Sequence, residues 1–205
     1  MNFNKLTYLS LLTSLFILSS IDYAKACSCG NHPPFFEIVK TVDFIAIIEV
    51  SGYDTYIDHR TWEYKNKGEE IDGDMVIPVS MNANINKTFY GDEIRNNILI
   101  WGDNGVMCRP YVEVFKPGSE WVVALKKGDP EWGHPIETSE DYYIHSCGEY
   151  HLEIVDDNVL GAIENEYEVK VINEEKYEFE LIGEEMEINT FIEKLTLLIS
   201  NQLNH

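Results

Sequence analysis

The chain has 205 residues, 15 of them basic and 36 acidic, for a formal net charge of −21. Phosphate binding depends on clustered lysine and arginine, so this balance argues against nucleic acid as a partner, and equally against an anionic lipid surface. It describes a self-repelling exterior around one core, or one core with a small appendage.

Lys5 gives a short positive start, Leu6 to Leu18 is mostly apolar, and a polar stretch then ends in Ala24-Lys25-Ala26. Small residues at the first and third positions before a cut suit signal peptidase, so a signal peptide is expected over 1–26 and a mature chain from Cys27. The apolar run is shorter than the roughly 20 residues that span a bilayer. Lys25 and the lack of leucine three residues before Cys27 argue against a lipoprotein signal. The expectation is a secreted, extracellular protein (periplasmic if the host has an outer membrane), with no membrane association after cleavage. No later segment of the sequence approaches a transmembrane span.

The cysteines are Cys27, Cys29, Cys108 and Cys147. An even number behind an export signal reads as two disulfides. A bridge between Cys27 and Cys29 would close a very small ring against the usual geometry. Each is therefore expected to reach one of the two distant cysteines, and both crossed patterns remain open on this ground.

After Cys29, the prolines Pro33 and Pro34 introduce a short helix over Phe35–Lys40, and Val42–Val50 has the β-branched, apolar texture of a buried strand. Residues 52–74 are polar and aromatic, as in a long hairpin connection or loop. Within it, Tyr53, Tyr56, Trp62 and Tyr64 are candidates for a contact surface or for packing across the flank. Further strands are expected at Met75–Thr88, Ile94–Trp101, Glu120–Leu125 and Tyr142–Ser146, with turn signals such as Asp103-Asn104-Gly105 and Lys116-Pro117-Gly118 between them. Five or so strands, short turns and one early helix predict a small closed β-barrel, although periodicity alone does not separate a barrel from a sandwich. From His151 an acidic meander is expected, with strands at Leu152–Val155, Val159–Ile163, Tyr167–Ile172 and Tyr177–Ile182. Ile188, Phe191, Ile192, Leu195, Leu198 and Ile199 then follow helical spacing, with Thr190 and Glu193 as a capping box.

Nothing in the sequence argues for an enzyme: it lacks a His-Glu-x-x-His, Gly-x-Ser-x-Gly or phosphate-loop pattern. No cofactor or metal of its own is expected either. His145, Cys147 and His151 have no specific ligand spacing and read as surface or strand residues, while Asn86-Lys87-Thr88 fits a glycosylation acceptor. The informative feature is the mature terminus Cys27-Ser28-Cys29. An α-amino group titrates near pH 8, so its lone pair is freed at neutral pH for only about 1 kcal/mol. With the carbonyl oxygen of the same residue it forms a five-membered chelate ring, and a zinc protease keeps one coordination position open to receive such a ligand. Disulfides at Cys27 and Cys29 would hold the terminus against fraying, and Ser28 between them would point outward beside the metal.

The Cys27-Ser28-Cys29 start, His32-Pro33 shortly after, the apolar strand around Asp43–Val50, the segment Ile85–Gly91, the run Ile98–Trp101 leading to Cys108, Trp121–Lys126, and Tyr143–Cys147 occur in an order and spacing that resemble the N-terminal domain of the tissue inhibitors of metalloproteinases. The resemblance covers roughly Cys27 to Tyr150. It implies a netrin-like OB-fold barrel over 27–150, followed by an acidic strand-and-helix extension over 151–205. It also implies bridges Cys27–Cys108 and Cys29–Cys147, Cys27 as chelator of a target's catalytic zinc, Ser28 as the residue entering the target's pocket, and a zinc metalloproteinase as partner. The chain departs from the family in lacking a third disulfide and the cysteine-rich C-terminal domain, and its 52–74 connection is its own. The alternative reading is an extracellular netrin-like binding module that inhibits no protease.

Overall fold

The computed structural model describes residues 29–69, 74–173 and 178–203. The expected signal peptide over 1–26, Cys27, Ser28 and the start of the expected strand at Tyr177 lie outside the described residues.

Pro34, with φ −67°, leads into helix α1 (Phe35–Ile38), and a 3-10 turn (Val39–Thr41) continues it. The first N–H groups of α1 have no intrahelical partner, and here they reach across the chain, Phe35 N to Ala162 O at 2.8 Å and Phe36 N to Ile163 O at 3.0 Å. Then follow β1 (Phe44–Tyr53), β2 (Thr55–Asp58), β3 (Glu63–Asn66), β4 (Val76–Pro78), β5 (Ser80–Tyr90), β6 (Asn97–Trp101), β7 (Glu120–Lys127) and β8 (Tyr142–Tyr143). The chain continues with β9 (His151–Val155), β10 (Asn158–Gly161), β11 (Glu168–Asn173), β12 (Glu178–Ile182), β13 (Glu184–Glu187) and helix α2 (Ile188–Leu203).

Strands β1, β5, β6, β8 and β7 form a closed five-stranded barrel of the OB type, because β1 pairs with both β5 and β7. All neighbours are antiparallel except β6 and β8, which run parallel. Register shifts in the β1–β5 ladder at Ile45/Ala46, Ile47/Ile48 and Val50/Gly52 bend the strand enough to close the ring. Phe44 to Ile48 are all buried, so this strand reads as a continuous apolar run rather than an alternating one. Beyond β7 the same sheet continues through β9 and β10 to β13, while β11 and β12 form a separate hairpin.

The described residues after 150 share the barrel's core: Leu152, Val159, Ile163, Phe191, Leu195 and Ile199 belong to the same buried cluster as Phe35, Phe44 and Leu125. The ring of Phe191 lies 5.8 Å from that of Phe35 and 5.4 Å from that of Phe36. Among the described residues no helix is long and apolar enough to cross a membrane.

Several expected elements take a different form. The 52–74 connection contains the hairpin β2–β3, which with β4 makes a three-stranded sheet on the barrel's flank. Ile57 of this sheet packs with Val79 and Trp101 in a second small core that also takes Tyr64. Tyr53 turns inward to donate to Phe115 O at 3.2 Å, whereas Trp62 stays 55% exposed. The expected strand from Met75 breaks at Val79 into β4 and β5, and Ile94 lies outside β6. Strand β13 is too acidic to announce itself, yet it pairs with β10 through the register Val159↔Met186. Because β13 runs straight into α2, the capping box expected at Thr190 and Glu193 is replaced by a cap one turn earlier. Glu187 accepts from Thr190 N at 3.0 Å and from Asn189 Nδ2 at 2.6 Å.

Phe191→Ala is expected to destabilise the whole barrel by about 3–5 kcal/mol, whereas Leu197→Ala on the exposed face of α2 should change stability by less than about 0.5 kcal/mol. Urea unfolding followed by circular dichroism checks both, and equal effects would mean that α2 is not part of the core.

Candidate functional site

Within the described residues the N-terminal ridge begins at Cys29, which is bonded to Cys147 with a Cα–Cα distance of 5.2 Å. The bridge spans 118 positions of sequence, a loop whose closure stabilises by about 4–5 kcal/mol in the chain-entropy model. Gly30, Asn31 and His32 are exposed, and Pro34 and Phe35 are buried. Pro33 O accepts from Glu149 N at 3.0 Å. The exposed stretch is thus tied covalently at one end and by backbone hydrogen bonds at the other.

Cys108 is disulfide-bonded as well, and its carbonyl accepts from Ser146 N at 3.2 Å. Positions 108 and 147 therefore lie side by side. Of the pair Cys27–Cys108 that the resemblance implies, Cys27 lies outside the described residues, as does Ser28.

The loop that carries Cys108 is held from below. Asp103 Oδ1 accepts from Gly105 N at 2.9 Å and Met107 N at 2.8 Å, fixing its turn. Arg109 forms a bidentate pair with Glu137, at 2.6 and 3.1 Å, with both side chains buried. Its guanidinium lies 4.1 Å above the ring of Tyr143. Glu137 also accepts from Asp129 N at 2.9 Å and His134 N at 3.0 Å. His134 is fully buried against Trp101, with ring centroids 4.7 Å apart. Its Nε2 lies 2.8 Å from Gly102 O and its Nδ1 3.0 Å from the Tyr64 hydroxyl. A carbonyl can only accept, so Nε2 carries the proton and Tyr64 donates to Nδ1. Burial holds His134 below the usual histidine value, so the ring stays neutral and the network satisfied.

On the Cys147 side, His145 Nδ1 accepts from Cys147 N at 2.9 Å, and its ring tilts over Tyr150 with centroids 5.5 Å apart. Burial first, then Lys126 and Arg109, hold His145 below its usual value. Gly148 adopts φ +139°, a conformation L side chains rarely take, and a Cβ there would press on Ile38 Cγ2 and Tyr150 Cε2, both at 3.0 Å. Among the described residues no group of three or more His, Cys, Asp or Glu is placed to hold a metal ion.

The arrangement is a rigid edge, with Cys29–Cys147 and the Cys108 loop braced by the Arg109–Glu137 pair. Chemically it can present a short exposed segment in one fixed conformation. The bracing residues have no local signature in the sequence. Arg109 stands beside a cysteine, but Glu137 is 28 positions away, and nothing short of the folded barrel brings them together. The fold and the ridge together define a disulfide-clamped OB-like barrel. Compared with known proteins, the chain matches no family model, no curated protein and no solved structure.

Removing one member of a buried pair strands the other charge. Arg109→Met is expected to cost about 3–5 kcal/mol in urea unfolding of the oxidised protein. Arg109→Met combined with Glu137→Gln should be more stable than Arg109→Met alone, since the second change removes the stranded charge while its one side-chain oxygen still accepts from one of the two backbone N–H groups, Asp129 N or His134 N. For His134, the unfolded chain binds a proton at higher pH than the folded one, so this ring's contribution to stability falls as pH drops below about 6.5. His134→Gln should make the unfolding free energy less sensitive to acidification in that window, and an unchanged slope would mean that the ring is not kept neutral by the fold.

Proposed function

We propose that the protein is a secreted inhibitor of zinc metalloendopeptidases, acting after signal-peptide removal through the amine and carbonyl of Cys27. The observation that supports this reading is the clamp: Cys29, two residues from Cys27, is bonded to Cys147, and disulfide-bonded Cys108 lies one hydrogen bond away through Ser146. A free terminus loses conformational entropy on docking, whereas one fixed in advance binds with that cost largely removed. The Cys27 nitrogen, once deprotonated, donates its lone pair to the target's zinc, and the carbonyl oxygen completes the chelate in place of the catalytic water. Ser28 enters the neighbouring specificity pocket. The braced Cys108 loop keeps this terminus from yielding when the zinc pulls on it. The resemblance to the metalloproteinase inhibitors over Cys27 to Tyr150 and the OB-type barrel favour the same reading.

The test compares refolded protein beginning at Cys27 with a version carrying one alanine before it, against a panel of zinc metallopeptidase catalytic domains. The extra residue turns the amine into an amide and should raise the inhibition constant at least about 100-fold, equivalent to about 2.7 kcal/mol, with unchanged thermal unfolding. Equal inhibition by both proteins would rule out chelation through the terminus. No inhibition by either, with both folded and oxidised, would leave the netrin-like binding module as the better reading.

A further inference from the structure

A cleft of about 490 Å³ opens on the part of the sheet where β9, β10 and β13 extend the barrel, sharing with the ridge only Glu149, whose backbone N–H donates to Pro33 O. Trp121 and Tyr167 give it aromatic walls, and Glu149, Glu153, Glu184 and Glu185 give it four carboxyl groups. Neither lysine nor arginine lines it among the described residues.

Two glycines make the room. Gly161, at φ +145°, would place a Cβ 2.5 Å from Leu152 Cδ2 and 2.9 Å from Glu149 Oε1, and Gly183 would place one 2.9 Å from Tyr167 Cε1. Glu149 is only 6% exposed and accepts from the Tyr167 hydroxyl at 2.9 Å. A buried carboxyl of this kind is ordinarily paired with a cation. This one has none among the described residues, and burial pushes it up to about 7 despite the hydrogen bonds from Tyr167 and the Ala162 N–H. Glu184 is the opposite case: it accepts from the N–H groups of Ile163, Glu164 and Asn165, which outweigh its burial and keep it ionised. His151 sits between Phe115 and Trp121, with centroids 5.0 and 5.7 Å away, and its enclosed Nδ1 has no partner among the described residues. Burial holds it at about 4, so it adds no positive charge.

We infer that this cleft binds an alkylammonium or guanidinium group, the cationic chemistry of a lysine or arginine side chain or of a free amine, with Glu149 as counter-charge and Trp121 and Tyr167 as aromatic walls. A cation there completes the pairing that Glu149 lacks, and aromatic faces attract the same charge. The other titratable groups lining the cleft are Tyr167, His151, Glu153, Glu184 and Glu185, and His32 lies near enough to His151 to act on it. The site does not depend on the inhibitor reading.

The test titrates the whole oxidised mature protein with n-butylammonium chloride and with N-acetyl-arginine methylamide at matched ionic strength, following the Trp121 indole and the Glu149 carboxyl by NMR. Saturable binding is expected to tighten at least about tenfold from pH 5.5 to 8.5 as Glu149 ionises, and to weaken at least about tenfold in Glu149→Gln. Tighter binding of the arginine derivative assigns the site to a protein side chain, and tighter binding of butylammonium assigns it to a small amine. If Glu149→Gln does not fold, the wild-type carboxyl decides, since a bound cation must lower its titration midpoint. No saturable shift up to about 50 mM, an unmoved midpoint, or undiminished binding by Glu149→Gln overturns the inference.

Discussion

β1 is hydrogen-bonded along both of its edges. Ile45 stands opposite Tyr90 of β5 and opposite Ala124 of β7, and Ile48 stands opposite Ile85 and Trp121. A strand paired on both sides leaves the barrel without a free edge there, and everything else is placed relative to it. β7 can pair with β1 only if the chain between them is gathered in, and that gathering sets the long loop carrying Cys108 on top of the barrel. β9 then adds to β7, and with it comes the turn that holds Cys147. The ridge is thus a by-product of ring closure, locked by a disulfide rather than created by it.

Beneath the ridge the protein uses charge where a small barrel would ordinarily use more apolar packing. Arg109, Glu137, His134 and Tyr64 are joined side chain to side chain, and Glu137 and His134 anchor the set to the loop backbone at Asp129 N, His134 N and Gly102 O. A network of this kind fixes loop conformation in a way that interchangeable aliphatic contacts do not. At Glu149 the same chain leaves a buried carboxyl without a counter-charge among the described residues. The contrast between the two acids, one paired and one open, is what separates a structural brace from a receptor for a cation.

What is legible in the sequence follows from how local its cause is. The apolar run of β1, the turn-bounded segments of β5 to β7 and the 3.6-residue spacing of α2 each carry their own signal, and the barrel can be read from them. The hairpin β2–β3 reads only as a long connection, because its strands are short and polar and become a sheet only by resting Ile57 and Tyr64 on Val79 and Trp101. β13 is hidden by three glutamates around Met186, which are tolerated because the strand ends the sheet. α2 starts at Ile188, where its spacing begins, but one turn before the expected capping box at Thr190 and Glu193, since a glutamate cap delivered by a preceding strand does not resemble a capping box. At the ridge, the cysteines are visible by count, but the Arg109–Glu137 brace is not, since no spacing rule links a residue in one loop to another in the next.

The packing of Phe191 on Phe35 and Phe36 joins α2 to α1. A chain that emerges with its N-terminus leading cannot finish its core until its last residues are free. Until then α1 has neither the carbonyls of Ala162 and Ile163 nor the ring of Phe191 to rest on. Contacts so distant in sequence make folding slow and late. The molecule therefore stays pliable for as long as α2 is missing from the core, and becomes rigid only once that helix has docked.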